Sequence, residues 1–383
     1  MAALTVKEKT TKNVERYLSI DVLRGLTVAL MIVVNTPGSW STNYAPFLHA
    51  PWHGWTITDL VFPSFLFVVG NAMSFSMKNL MVQDKKPFLS KVMKRTLVIF
   101  LIGLLLAAYP FFRMGDTGMV PFDFTKIRIM GVLQRIAVCY AISAFVLYFL
   151  NKRGAIVFSV IALVGYWMVM YIYGETGDPY SLVGNAARRL DLFLIGAENL
   201  YRGEGIPFDP EGLLSTFPAT VNVIAGFLVG DFIQKSGNRI RTIALLIGVG
   251  TGLFLLGSLW DIWFPINKKI WTSSFVLVTV GISTVCIALL MYVIEIMKLK
   301  KWAYFFEVFG KNPLMLYVLS GVFVKTMLVI RIEGQASKSW LYERFFVPYF
   351  APNNASLLFA VGFMLVIWLI GYWMDKKRIY IKV

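Results

Sequence analysis

The chain has only two histidines, His49 and His53, and both lie in one short segment, Leu48-His49-Ala50-Pro51-Trp52-His53-Gly54-Trp55. Imidazole is the side chain that most readily takes and returns a proton near neutral pH. The i, i+4 spacing would put both rings on one face of a helix, where such a pair can hold a metal. Pro51 and Gly54 oppose a regular helix there, and no carboxylate cluster adjoins the pair, so proton transfer is expected and a metal is not. The plain alternative is two interfacial histidines among the anchoring tryptophans Trp40, Trp52 and Trp55, with no chemistry. Asn35 stands before Thr36-Pro37-Gly38. It reads either as a helix C-cap or as a neutral amide that orients a histidine or binds a carbonyl oxygen.

The elements that must position these groups are apolar. Of 383 residues, 57% are hydrophobic and 15% charged, and the mean hydropathy is +0.67. A soluble domain carries about 25% charge. Runs long enough to cross a bilayer as helices fall at 18–35, 57–77, 96–112, 129–150, 155–173, 214–233, 241–260, 272–296, 303–330 and 356–374. The expected fold is therefore an all-α integral membrane protein of about ten transmembrane helices. It comprises a cytoplasmic segment 1–17, one transmembrane domain 18–374 and a basic tail 375–383. The polar, basic first seventeen residues read as the flank of a retained anchor helix, not as a cleaved leader.

Ten spans separate 22 Lys and Arg residues on the side of the termini from 11 on the other. Basic loops stay in the cytoplasm, so both termini are expected there. The net charge of +16 is explained in the same way, without nucleic acid. His49 then opens to the non-cytoplasmic side. So do the long loops 36–56, 174–213 and 331–355, the second of which carries seven acids including Glu211.

Ionisable groups inside apolar runs default to function. Asp21 and Arg24 sit three apart and can pair; Asp59 opens the second run; Gln134 and Arg135 lie in the fourth; Lys311-Asn312-Pro313 interrupts the ninth, and Lys325 follows, able to snorkel. Cys139 and Cys286 read as small core residues. Gly226–Gly230 and Gly248–Gly252 have helix-packing spacing. No P-loop or dinucleotide loop is present, so a nucleotide-bearing ligand would be held by basic helix ends.

Six segments carry a family resemblance. Arg16-Tyr17-Leu18-Ser19-Ile20-Asp21-Val22-Leu23-Arg24-Gly25 with the run ending at Asn35 resembles the opening of transmembrane acyltransferases. His49 to Pro63, Arg128 to Arg135, Phe208 to Leu214 and Pro265 to Thr272 resemble the heparan-α-glucosaminide N-acetyltransferase family, and Gly310-Lys311-Asn312-Pro313 fits its bacterial branch. The resemblance implies an enzyme that takes acetyl-CoA from the cytoplasm and acetylates the amine of a glucosamine on the far side. It implies His49 and Asn35 as the catalytic residues. The family commonly has Asn at the position of His53, so His53 is not carried over. The luminal domain and extra span of the lysosomal enzyme have no counterpart here, which points to a ten-span form in a bacterial inner membrane.

Taken together, the expected activity is transfer of an acetyl group from acetyl-CoA to an amino sugar, with no metal. A thioester is already activated, so His49 need only take the proton of the attacking amine while Asn35 holds the oxyanion. Arg24, Arg135, Lys311 and Asn312 are the candidates for the CoA end. Asp59, Glu211, Asn267 and Trp271 are the candidates for the acceptor, and Lys268, between the last two, could line the same cavity. Membrane lipid is the surrounding partner, and a homodimer is compatible with such a scaffold. Two alternatives stay open: a permease for amino sugars or cell-wall fragments, and an O-acyltransferase.

Overall fold

The computed structural model describes residues 17–77, 84–115 and 118–381. The expected amino-terminal segment with Lys7, Lys9, Lys12 and Arg16 lies outside the described residues, as do Lys78 and Lys382. Twelve α-helices follow in order: α1 Leu18–Asn35, α2 Ile57–Ser76, α3 Lys85–Ala108, α4 Val132–Tyr173, α5 Ala186–Leu194, α6 Thr216–Ser236, α7 Ile240–Trp260, α8 Ser273–Met291, α9 Ala303–Lys311, α10 Pro313–Val329, α11 Ser337–Phe345 and α12 Pro352–Lys376. The described residues also form two small antiparallel hairpins, β1 Phe112–Gly115 with β2 Gly118–Pro121 and β3 Arg331–Ile332 with β4 Gln335–Ala336, short 3-10 helices, and a π-helical turn after α8. The protein is an all-α membrane protein. Among the described residues seven helices are long and apolar enough to cross a membrane, or eight if the bent pair α9–α10 counts as one.

Four expected spans differ in form. The helix expected at 96–112 begins at Lys85 and ends at Ala108, and Phe112 opens a strand instead. Its amino-terminal half carries Lys85, Lys86, Lys91, Lys94 and Arg95, so that half is too polar for a bilayer core. The expected pair 129–150 and 155–173 forms one assigned helix, α4, of 42 residues, which straight would be about 63 Å long. It breaks at Asn151, whose backbone has φ 53°. The Asn151 Oδ1 accepts from the Arg153 amide at 2.9 Å and so caps the second arm. The arms return alongside each other: the Arg135 guanidinium lies 4.9 Å from the Trp271 ring, and Tyr166 donates to the neighbouring Ile270 carbonyl. The expected run 303–330 bends by 84° where α9 meets α10. Pro313 there starts α10, where its missing N–H costs nothing.

Backbones approach closely where α2 crosses α6. A β-carbon on Gly226 would stand 1.8 Å from the Phe67 carbonyl oxygen, and one on Gly70 the same distance from that of Val223. A second close crossing joins α1 to α9, where a β-carbon on Gly25 would meet the Phe306 carbonyl oxygen at 1.7 Å. Without a hydrophobic force between helices in lipid, such contact supplies much of the association energy. The expected Gly248–Gly252 pair is a correction: neither has a neighbour within 4 Å of an added β-carbon. Gly250 and Gly257 instead meet α8, because they lie on the buried stripe of α7. Lys325 does not snorkel. Its ammonium donates to the carbonyls of Leu106, Ala107 and Tyr109, the orphan acceptors at the end of α3. Both cysteines are free thiols, Cys139 buried and Cys286 half-buried.

Gly226→Ala is expected to lower the thermal midpoint of the detergent-solubilised protein by several degrees, since α6 must move off α2 at a cost of about 1–3 kcal/mol. Gly248→Ala is expected to leave it unchanged. A differential scanning measurement of both variants checks the contrast.

Candidate active site

The amino terminus of α2 builds one wall. Thr56 is its N-cap and Asp59 its N3 residue, and the two close a capping box: the Asp59 carboxylate accepts from the Thr56 amide at 3.0 Å and from its hydroxyl at 3.2 Å. The same oxygen, Oδ2, accepts from the Ala50 amide at 3.0 Å. The other, Oδ1, lies 2.6 Å from His49 Nδ1 and 3.5 Å from Lys268 Nζ. A carboxylate can only accept, so Nδ1 carries the proton and Nε2 is left as the basic nitrogen of His49. Asp59 is almost wholly buried at 1% exposure, while His49 keeps 41% of its side chain accessible. Asp59 therefore serves His49 and is not on the cavity wall, which corrects its expected place among the acceptor ligands.

Loop pairing brings Lys268 to this point. The Gly54 amide donates to the Ile266 carbonyl at 2.7 Å, and Gly54 bridges to Asn267. Gly54 has φ +93°, a conformation natural for glycine. Lys269 extends the stitching, donating to the Pro51 carbonyl at 2.9 Å and to Glu204 at 2.6 Å. Lys268 Nζ ends 3.1 Å and 3.5 Å from the two ring nitrogens of His49. Burial pushes the Lys268 ammonium down from its ordinary value, against the opposing pull of Asp59 and Glu211.

These side chains surround a cavity of about 220 Å³. Asn35, His49, Arg128, Glu211, Lys268 and Tyr317 give it its polar and aromatic character. Arg128 forms a strut across it. Its Nε and Nη2 donate to Asp209 at 2.9 and 2.7 Å, Nη2 also donates to Glu211 at 2.5 Å, and its plane covers Tyr201 at 4.6 Å. Burial alone would raise the Glu211 carboxyl, but Arg128, Arg135 and Lys268 outweigh it and hold Glu211 below the usual range.

A second cavity of about 360 Å³ opens toward the other end of the same helices. Arg24, Arg95 and Lys311 line it with Phe65, Ile136, Tyr140 and Leu314. Arg24 is tied to Asp21 at 3.2 Å and to the Gly310 carbonyl at 3.1 Å; Lys311 is tied to Asp375 at 2.9 Å and Glu307 at 3.2 Å. The two cavities share walls. Phe62 and Phe65 on α2, Val132 and Ile136 on α4, and Tyr317 and Leu314 on α10 line one cavity and the other in turn. Three or four residues of helix are about 5–6 Å, so the septum is one turn thick.

Besides Asp59, four expected site residues line neither cavity. Arg135 is fully buried against Trp271 and donates to the Gly212 carbonyl and the Ser215 hydroxyl. Asn312 clamps the chain end through the Ile379 carbonyl and the Ile381 amide, both at 2.9 Å. Asn267 is buried, closes the turn to Ile270 at 3.1 Å and faces His53 Nδ1 at 3.4 Å. Trp271 is buried and bonds Asn222 at 3.2 Å. Each is a polar group at a helix end, which sequence alone cannot tell from a wall residue. Arg95, Arg128 and Tyr317 were not singled out as site residues. The Thr56-Ile57-Thr58-Asp59 capping signature was the available clue to Asp59.

The model of the heparan-alpha-glucosaminide N-acetyltransferase catalytic region matches residues 16–246. The chain belongs to that family. The matched stretch includes Arg24, Asn35, His49, Asp59, Arg128 and Glu211 of this family member. It is 26% identical over 365 residues to the heparan-alpha-glucosaminide N-acetyltransferase of Mus musculus, covering 81% of this chain and 54% of that protein. The Homo sapiens protein of the same name is 26% identical over 361 residues, with 80% and 53% covered. The chain thus spans about half the length of the curated relatives it matches.

Arg128→Met is expected to strand two buried carboxylates, which costs about 3–5 kcal/mol for a broken buried pair. Its thermal midpoint should fall, and adding Asp209→Asn with Glu211→Gln should restore most of the loss. The deficit should also shrink toward acidic pH, where the stranded carboxylates can take protons. Thermal scans of the single and triple variants across pH check both outcomes.

Proposed function

We propose that this protein is a membrane-embedded acyltransferase that moves an acetyl group from cytoplasmic acetyl-CoA to the amine of an amino sugar at the outer face. Family membership supports the reaction class. The observation that carries the reading is the His49–Asp59 pair, which leaves a basic Nε2 on a ring at the cavity beside Asn35. His49 takes the proton of the attacking amine and returns it to the leaving thiol, while Asp59 stabilises the imidazolium between the two steps. The carboxamide of Asn35, also at the cavity wall, polarises the thioester carbonyl. Glu211, on the same wall, attracts an ammonium sugar.

The second cavity answers the need of a donor that starts on the opposite side. Arg24, Arg95 and Lys311 give it three cations for the phosphates of CoA. A septum one turn thick leaves little distance for the pantetheine arm to cross. Ten spans with both termini in the cytoplasm fit this reading, with the reversal at Asn151 and the basic start of α3 as their support. The amine attacks the thioester directly in a ternary complex, and the acetyl group does not rest on His49.

Purified protein with labelled acetyl-CoA and a panel of amino sugars tests the reading, with amide product as the readout. His49→Ala should abolish transfer and still bind CoA; near-normal turnover in that variant overturns the assignment. Label retained on His49 after quenching without acceptor, and passed on when acceptor is added, overturns direct attack.

Removal of the Arg24 or Lys311 charge should raise KM for acetyl-CoA several-fold and leave KM for the amine nearly unchanged. Steady-state kinetics with each substrate varied in turn check this. Equal effects on both substrates would assign the two cations to the fold.

A further inference from the structure

Three cations reach the wall of the His49 cavity, and two of them are fully engaged. Arg128 is held by Asp209, Glu211 and the Tyr201 ring. Lys269 is held by Glu204 and the Pro51 carbonyl. Lys268 differs. Its two nearest acceptors both stand at the long distance of 3.5 Å: Asp59 Oδ1, already taken by His49 Nδ1 at 2.6 Å, and His49 Nε2. Its closest neighbour, His49 Nδ1 at 3.1 Å, is itself a donor. An ammonium carries three N–H donors and no acceptor. A strong donor group is thus held at the wall of the cavity, 16% exposed, against the imidazole that would do the chemistry.

We propose that Lys268 is a catalytic residue, whose ammonium hydrogen-bonds the acyl oxygen of the thioester as that oxygen becomes an anion, with Asn35 as the second donor. The inference rests on the acyl-transfer reading above and deepens it. The amine lone pair forms the new C–N bond, and the carbonyl π pair moves onto oxygen, where Lys268 and Asn35 receive it. His49 Nε2 takes the proton released from nitrogen. Collapse of the intermediate restores the carbonyl, breaks the C–S bond, and sends the electron pair to sulfur, which takes the proton back from His49. Products are the acetamide and free CoA thiol, with no other reactant. Placing a cation beside a base that becomes an imidazolium would ordinarily be costly. Here the oxyanion and the imidazolium appear together, and Asp59 faces both cations, so the site gains one charge of each sign.

The pH profile separates this role from a structural one. The groups facing Lys268 are Asp59 on α2, His49 in the first loop, Glu211 in the loop before α6, and its neighbour Lys269. Asp59 and Glu211 are carboxylates, which lose their protons on the acid side, and His49 is the base of the step. Lys269 is anchored on Glu204 away from the ring. Loss of the Lys268 proton then sets the alkaline limb, and burial brings that limb to lower pH.

The test compares wild type with Lys268→Met and Lys268→Arg in full-length purified protein, using acetyl-CoA and the amine accepted best by wild type. CoA binding by calorimetry establishes that each variant is folded. Lys268→Met should lower kcat by about 10²–10³-fold with little change in either KM, the loss typical of one oxyanion donor. Lys268→Arg should recover at least tenfold of that, and its rate should not fall at alkaline pH, because guanidinium stays protonated. With wild type active, a Met variant within threefold of it overturns the role of Lys268 alone. So does an Arg variant no faster than Met while binding CoA normally. A wild type that transfers no acetyl group overturns the acyltransfer reading and this role with it.

Discussion

A single buried carboxylate organises the His49 end of the bundle. Asp59 accepts from its own helix terminus, from the Ala50 backbone, and from the ring of His49, with the ammonium of Lys268 behind. A carboxylate has room for about four such donors, and an unpaired one this deep would be untenable. Its charge also sits at the positive end of α2, where the aligned peptide dipoles favour it. The loop carrying His49, the helix behind it and the loop carrying Lys268 are therefore fixed by one group. Ring orientation and tautomer follow, since Nδ1 has nowhere to donate but to Asp59.

Around that point the packing is arranged to bring distant parts of the chain within one helical turn. Gly25 and Gly310 let α1 and α9 touch backbone to backbone, which sets Arg24 and Lys311 on one cavity. Gly70 and Gly226 do the same for α2 and α6, and thereby set how far Phe62 and Phe65 stand from the helices opposite. The 84° bend between α9 and α10 lets one connected segment offer Lys311 to one cavity and Tyr317 to the other. A straight helix would have carried its lysine and its tyrosine along a single axis. The break costs one turn of helix hydrogen bonding, and Asn312 offsets it by bonding the chain end on both sides.

Charge is spent unevenly on the two cavities. At the His49 end, Arg128 is neutralised by two carboxylates and serves as a brace for the acidic loop. Arg24 and Lys311 at the other end are also paired, but with acids at the rims of their helices.

Apolar run lengths decided the all-α membrane architecture, because a bilayer admits little else. Residue type drew attention to His49 and Asn35, since so few groups in this chain can move a proton or hold an oxyanion. Arg24 and Lys311 were legible because a charge in an apolar run needs a reason. Only the tertiary structure decided which polar groups face a cavity. Arg135, Asn267, Trp271 and Asn312 are also hydrogen-bonding side chains in or beside apolar runs, yet each is turned to a local bond away from the cavities. The pairing of Gly54 with Ile266 is what lays Lys268 against His49. Pairings between loops more than two hundred residues apart leave no periodicity and no spacing to read. They depend on which helices touch, and that is set by backbone contact in three dimensions.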